Sequence, residues 1–174
     1  SFGKESGIIS EVKAIQKIGN SMYLGTSSGL VKFNSDSRSF QPLPGNNTGM
    51  VINLVADGDD LIVPGQQLQV VRGSKTITLN GPDDGSRPVY AFIPKQHPNL
   101  LLVGSNQGLL EYRRGLSKDF PWEYKGKIPG VDKSNGYIYI FEENDGTIFY
   151  LVTGKIYALN VTKEVLASDS QSVI

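Results

Sequence analysis

Cysteine is absent from the 174 residues, which excludes disulfides and any zinc site or nucleophile built on a thiolate. That absence does not fix the compartment. Histidine is nearly absent: the single copy, His97, cannot supply the histidine cluster of a metal site. An excess of either charge is missing too. Seventeen basic residues face seventeen acidic ones, so the formal net charge is zero. A nucleic-acid surface would show a basic surplus. No apolar run approaches the roughly 20 residues that cross a bilayer. No signal-peptide pattern opens the chain, so an export signal is expected to have been removed or to lie outside it.

Glycine and proline are plentiful, at 20 and 9 residues, as a chain with many turns requires. Their placement is periodic. Residues 20–33 read as strand, tight turn, strand. Met22, Tyr23 and Leu24 go out, Thr26 to Gly29 turn, and Leu30, Val31 and Phe33 return. A second copy runs from Asp60 to Gly65 and returns as Leu68 to Val71. A third runs from Asn99 to Gly104 and returns through Gly108 to Tyr112. In all three an Asn or Asp lies five residues before a glycine, and those glycines, Gly25, Gly65 and Gly104, are 40 and 39 residues apart. In a fourth copy Tyr150-Leu151-Val152-Thr153 parallels Tyr23-Leu24-Gly25-Thr26, with Val152 in place of glycine and a shortened turn, Thr153-Gly154-Lys155.

A strand precedes each hairpin, at 12–18, 51–56, 89–93 and 137–141, and a turn-rich group follows each. A more variable strand closes each unit, around Phe40, at 76–79, at 122–124 and at Val165-Leu166. Four short strands per roughly 40 residues predict an all-β fold, a β-propeller segment of about four four-stranded antiparallel blades belonging to a larger propeller. The expected blades are 12–45, 51–81, 88–130 and 137–168 of a single propeller-type domain or fragment. Residues 1–11 read as the tail of a preceding repeat and 169–174 as the start of a following one. The continuous apolar runs Leu100 to Val103 and Tyr137 to Phe141 predict strands covered on both faces. The recurring glycines are then expected to let a neighbouring blade approach. The third unit holds the longest insertion, Arg113 to Asn135, expected as a loop that carries recognition.

The stretches Tyr23 to Phe33 and Leu102 to Tyr112 resemble the two-component regulator propeller repeat: an aromatic or aliphatic pair, Gly-Thr, a short turn, then Gly-Leu and an aromatic. The resemblance covers about four units, closely in the first and third, partly in the second and loosely in the fourth. The family's usual Trp is replaced by Tyr23, Leu102 and Tyr150. The resemblance implies the periplasmic sensor region of a hybrid sensor histidine kinase that responds to oligosaccharides. In such proteins two propellers typically precede a small β-sandwich, a membrane helix and the kinase. A catalytic kinase would lie outside this segment, and no cofactor is implied. Rival readings are a propeller scaffold for protein partners that does not signal, and a propeller polysaccharide lyase or hydrolase. Where end blades stand open, their strand edges predict self-association into a dimer. No membrane insertion is expected within the segment.

Sugar binding commonly uses aromatic faces beside polar groups, and Arg87, Tyr90, Arg113, Arg114 and Trp122 are the candidates. Each has a plainer role open to it: blade packing for Tyr90, cover of an outer strand for Trp122, solvated charge for the arginines. His97, before Pro98, reads as a solvated turn residue. Asp57, Asp59 and Asp60 lack the ligand spacing of a calcium loop. Asp83-Asp84-Gly85 and Asn144-Asp145-Gly146 read as turns. Among Glu111, Asp119, Glu123, Glu142 and Glu143, no spacing selects a glycosidase pair. Asn46-Asn47-Thr48 and Asn160-Val161-Thr162 match a glycosylation pattern that carries no meaning in a bacterial protein.

Overall fold

The computed structural model describes residues 4–45, 49–131 and 138–161, and the backbone of 166–168. The sequence readings at 1–3, 46–48, 132–137, 162–165 and 169–174 lie outside the described residues. Four sheets carry the fold. The first holds β1 (Val12–Ile18), β2 (Ser21–Thr26), β3 (Gly29–Asn34) and β4 (Ser39–Pro42). The second holds β5 (Val55–Asp57), β6 (Asp60–Val63), β7 (Gln69–Arg72) and β8 (Lys75–Thr78). The third holds β9 (Pro88–Phe92), β10 (Leu100–Ser105), β11 (Gly108–Ser117) and β12 (Phe120–Lys127). The fourth holds β13 (Tyr139–Glu142), β14 (Ile148–Val152), β15 (Lys155–Val161) and β16 (Leu166–Ser168). In every sheet the strands lie in chain order and run antiparallel. These are propeller blades.

The repeat is visible in hydrogen bonds as well as in letters. At the β2–β3 turn, the Thr26 hydroxyl donates to the Gly29 carbonyl (2.9 Å) and accepts from the Ser28 amide (3.2 Å). At the β10–β11 turn, the Ser105 hydroxyl donates to the Gly108 carbonyl (2.7 Å) and accepts from the Gln107 amide (3.1 Å). Gly29 (φ 132°) and Gly108 (φ 120°) close both turns in a backbone region that other residues avoid. The blades also end alike. Leu43 donates to the Leu30 carbonyl (3.3 Å) and Ile128 to the Leu109 carbonyl (2.8 Å).

The chain divides into two compact units, Ser1–Thr78 and Leu79–Ile174. In the first, Tyr23, Leu30, Val51, Leu54, Leu61 and Val63 form the core between two blades. In the second, Leu100, Leu102, Leu109, Ile138, Ile140 and Tyr150 do so. Within each unit the first strands of the two blades approach one another, β1 with β5 and β9 with β13. Glycine makes both seams tight. A β-carbon on Gly25 would stand 2.7 Å from the Val51 carbonyl oxygen, and one on Gly104 would overlap the Ile138 backbone. Gly65 differs: it lies in the connection beyond β6 rather than on a strand.

Three further expectations change. Residues 51–54 do not pair in the second sheet, because the Val51 amide bonds the Thr26 carbonyl across the seam (2.9 Å), and pairing starts at Val55. The fourth hairpin is shifted by one residue. Its two-residue turn, Thr153-Gly154, follows Val152, so Leu151, paired with Ile156, takes the place of Gly25 and Gly104. A slip of one residue reverses the faces. Tyr150 therefore faces the core of its unit, and 138–141 alternate through the start of β13, with Ile138 and Ile140 buried and Tyr139 and Phe141 about 40% exposed (41% and 39%). β10, by contrast, is buried along its whole length.

The insertion after Tyr112 is no loop over its first half. From Leu30 to Leu43 the chain advances 13 residues and from Leu109 to Ile128 it advances 19, and the surplus lengthens the β11–β12 hairpin. β10 ends opposite Arg113, so the hairpin runs on beyond it as a two-stranded ribbon tipped by Ser117 to Phe120.

Candidate functional site

Two turns of the second unit are locked together. In the β9–β10 turn the His97 amide donates to the Pro94 carbonyl (3.1 Å) and the Leu100 amide to the His97 carbonyl (2.9 Å). Glu142, the last residue of β13, reaches across. Its carboxylate accepts from the Lys95 amide (2.7 Å) and the Gln96 amide (3.2 Å). Charge-assisted bonds of this kind are stronger than neutral ones. In the β13–β14 turn the Asp145 carboxylate accepts from the Thr147 amide (2.9 Å), which holds its pKa below the usual carboxylate range. Gly146 (φ 88°) has no β-carbon where the Gln96 amide group packs.

Between the clamped turns lies a cleft with two lobes. One, of about 280 Å³, is lined by Gln96, His97, Pro98, Asn99, Leu100, Arg113 and Val161. The other, of about 350 Å³, adjoins it at His97 and Val161 and adds Asp145, Thr147, Leu159 and Asn160. Volumes of this order suit small ligands. Arg113 enters as half of an ion pair, with Nε 2.5 Å from Glu111 Oε1 and both side chains partly buried. A cavity of about 460 Å³ in the first blade is lined by Asn20, Ser21 and Asn34 among others, the repeat counterparts of Asn99, Leu100 and Arg113. The first and third blades thus share this position for a cavity and furnish it differently.

The five residues singled out from the sequence fall into two groups. Arg113 lines the cleft. Beside it, the Arg114 guanidinium lies 4.1 Å from the centre of the Trp122 ring and donates to the Pro98 carbonyl (3.0 Å), which ties the ribbon's base to the β9–β10 turn. Trp122 is 2% exposed, so its ring offers no open face. Arg87 and Tyr90 stand at the other end of the sheet. The Arg87 amide donates to Asn106 Oδ1 (2.6 Å) beside the β10–β11 turn. Tyr90 pairs with Gly104 and meets Tyr139 edge to face at 5.4 Å, and burial raises its pKa. That end is about 17 Å along β10 from Arg113, so the structure does not gather the five into one site.

The acidic residues are mostly engaged by the chain itself. Glu111 pairs with Arg113, Glu123 with Lys125, Asp60 with Arg72 and Asp84 with Lys127. Among the described residues no three His, Cys, Asp or Glu side chains form a metal-binding group. From the sequence His97 reads as a solvated turn residue, whereas it is half-buried at the junction of the lobes. Gln96 and Asn99 read there only as turn residues, and Asn160 only as part of a glycosylation pattern. The one available signal was the repeat, which aligns Asn99 with Asn20 ahead of each hairpin.

The fold and the repeated turns define an all-β propeller segment. Among solved structures, the chain is similar to the extracellular domain of a proposed hybrid two component system, BT4673 from B. thetaiotaomicron, with TM-score 0.63 and 15% identity over 90% of this chain and 22% of that one. It is similar to the computationally designed Ika4 protein, with TM-score 0.61 and 11% identity over 88% of this chain and 93% of that one. It also resembles virginiamycin B lyase from Staphylococcus aureus, with TM-score 0.58 and 14% identity over 90% of this chain and 55% of that one. The chain therefore spans about a fifth of the BT4673 domain and about half of the lyase. No family model matches it. No curated protein matches it in sequence.

Proposed function

We propose that this chain is part of an extracytoplasmic, ligand-sensing propeller of a two-component regulator, with oligosaccharides as its signal and a kinase outside the segment. The observation that carries the reading is the pair of matching hairpins at Thr26 and Ser105, which joins the sequence resemblance to a fold like that of an extracellular sensor domain. The cleft, with its clamped rim, supplies a place for a small polar ligand. In this mechanism, ligand binding favours one arrangement of paired sensors, and a membrane segment beyond the chain carries that bias inward. Among the described residues no helix is long and apolar enough to cross a membrane. Thermal-shift and calorimetric titration of the 174-residue protein against a glycan panel tests the reading. Saturable binding of one glycan class is the expected result, and a gene that encodes neither a membrane helix nor a kinase would defeat it.

One observation favours a second reading, a scaffold for protein partners. The ribbon tip carries Leu116, fully exposed, and Phe120, half-exposed. Exposed apolar groups on a projecting hairpin suit a protein contact. A stable protein partner in pull-downs, lost in the Leu116→Ser/Phe120→Ser double variant and indifferent to glycans, would support this reading over sensing.

A further inference from the structure

Among the described residues that line the cleft, the two that carry full charges, Arg113 and Asp145, both have partners. Arg113 is held by Glu111 at 2.5 Å, and the Glu142 carboxylate faces two backbone amides. Asp145 takes the Thr147 amide at 2.9 Å and so stays ionised. A site for an acidic sugar needs an uncompensated cation aimed at the carboxylate, and here the cation brings its own carboxylate. What remains along the cleft is amide and hydroxyl chemistry from Gln96, Asn99, Thr147 and Asn160, beside the accessible apolar side chains of Pro98 and Val161. A paired arginine and exposed side-chain amides suit neighbouring hydroxyls, which both donate and accept, while the apolar side chains suit the C–H face of a sugar ring.

We infer that this cleft between the third and fourth blades is the glycan site, and that its ligand is an uncharged oligosaccharide bound through hydroxyls rather than an acidic one bound through a carboxylate. The inference rests on the sensing reading and narrows it. Arg113, oriented by Glu111, acts as a positioned donor, and the two lobes accommodate adjoining sugar rings.

The protein's single histidine provides the reporter. His97 stands where the lobes meet, so its imidazole C–H resonances are the only ones of their kind in a proton spectrum. The 174-residue protein is titrated with neutral tetrasaccharides of glucose, galactose, mannose and xylose, and with tetragalacturonate. At least one neutral sugar is expected to bind, to move the His97 resonances, and to bind equally at low and high salt, because no net charge is neutralised. Arg113→Gln is expected to weaken that binding about tenfold or more, while Lys125→Gln, outside the cleft, leaves it unchanged. If Arg113→Gln fails to fold, the His97 shift and the salt series still decide. Preference for tetragalacturonate, an affinity that falls with salt, or neutral binding that leaves His97 unmoved would overturn the inference and leave sensing intact. Binding of none of these sugars would overturn both.

Discussion

Thr26 and Ser105 do the same work in different blades: each hydroxyl donates to a glycine carbonyl three residues on and accepts an amide two residues on. Both are buried, so the bonds are not exchanged for water. Ser105→Ala is expected to cost about 1–2 kcal/mol, and Ser105→Thr, which keeps the hydroxyl, less. Chemical denaturation of the two variants checks this.

Gly104→Leu should destabilise the second unit by roughly 1–3 kcal/mol. Its side chain would be driven into the Ile138 backbone, which belongs to the neighbouring blade and cannot yield as a flexible side chain would. An unchanged melting temperature would remove the glycine from its role in the seam.

These two positions show how far the sequence could be read. A glycine and a small hydroxyl residue side by side, returning in two hairpins, mark the seam and the turn in the sequence itself. The fourth hairpin departs from the letter-by-letter alignment of Tyr150 with Tyr23. Pairing, with Val152 opposite Lys155, places Leu151 where glycine stands elsewhere. The cleft was legible only in part. Arg113 was singled out, but its neighbours come from turns far apart in the chain.

Asp84 gives a pH prediction. The Lys127 ammonium and the Ser86 hydroxyl beside it hold its pKa down to about 2 from 3.8. A carboxylate depressed on folding contributes stability that is complete above its unfolded value and lost as pH falls through its folded one. The loop before β9 should therefore loosen between about pH 4 and pH 2, seen as a fall in the Ser86 amide's protection relative to its intrinsic exchange rate. Asp84→Asn should exchange faster at neutral pH and lose that acid step. The pair is exposed, so high salt should mimic the variant in part.

Thr153 takes a positive φ of 48° in the two-residue turn before Gly154, whose φ is 77°. Such a turn favours Asn-Gly, and a β-branched residue there is strained. Thr153→Asn should stabilise the protein by about 0.5–1 kcal/mol, read as a raised denaturation midpoint.

Glu142→Ala should release the Lys95 and Gln96 amides, which its carboxylate now binds. Hydrogen exchange at those two positions should accelerate while β10 amides stay protected. Equal protection in the variant and the parent would show that the turns hold without the clamp.

By itself the sequence determined the repeat, the hairpins at Thr26 and Ser105 and the seams at Gly25 and Gly104, because each rests on local chemistry: turn residues, alternation and a missing β-carbon. Tertiary structure alone decided which face each strand of the fourth blade turns inward, and that residues after Tyr112 extend a hairpin. It also decided that His97, Arg113 and Asn160 share a cleft. The reason is physical. A strand's face is set by its partner's register, and a cleft by turns that meet only after blades pack, and neither is encoded within a single stretch of chain.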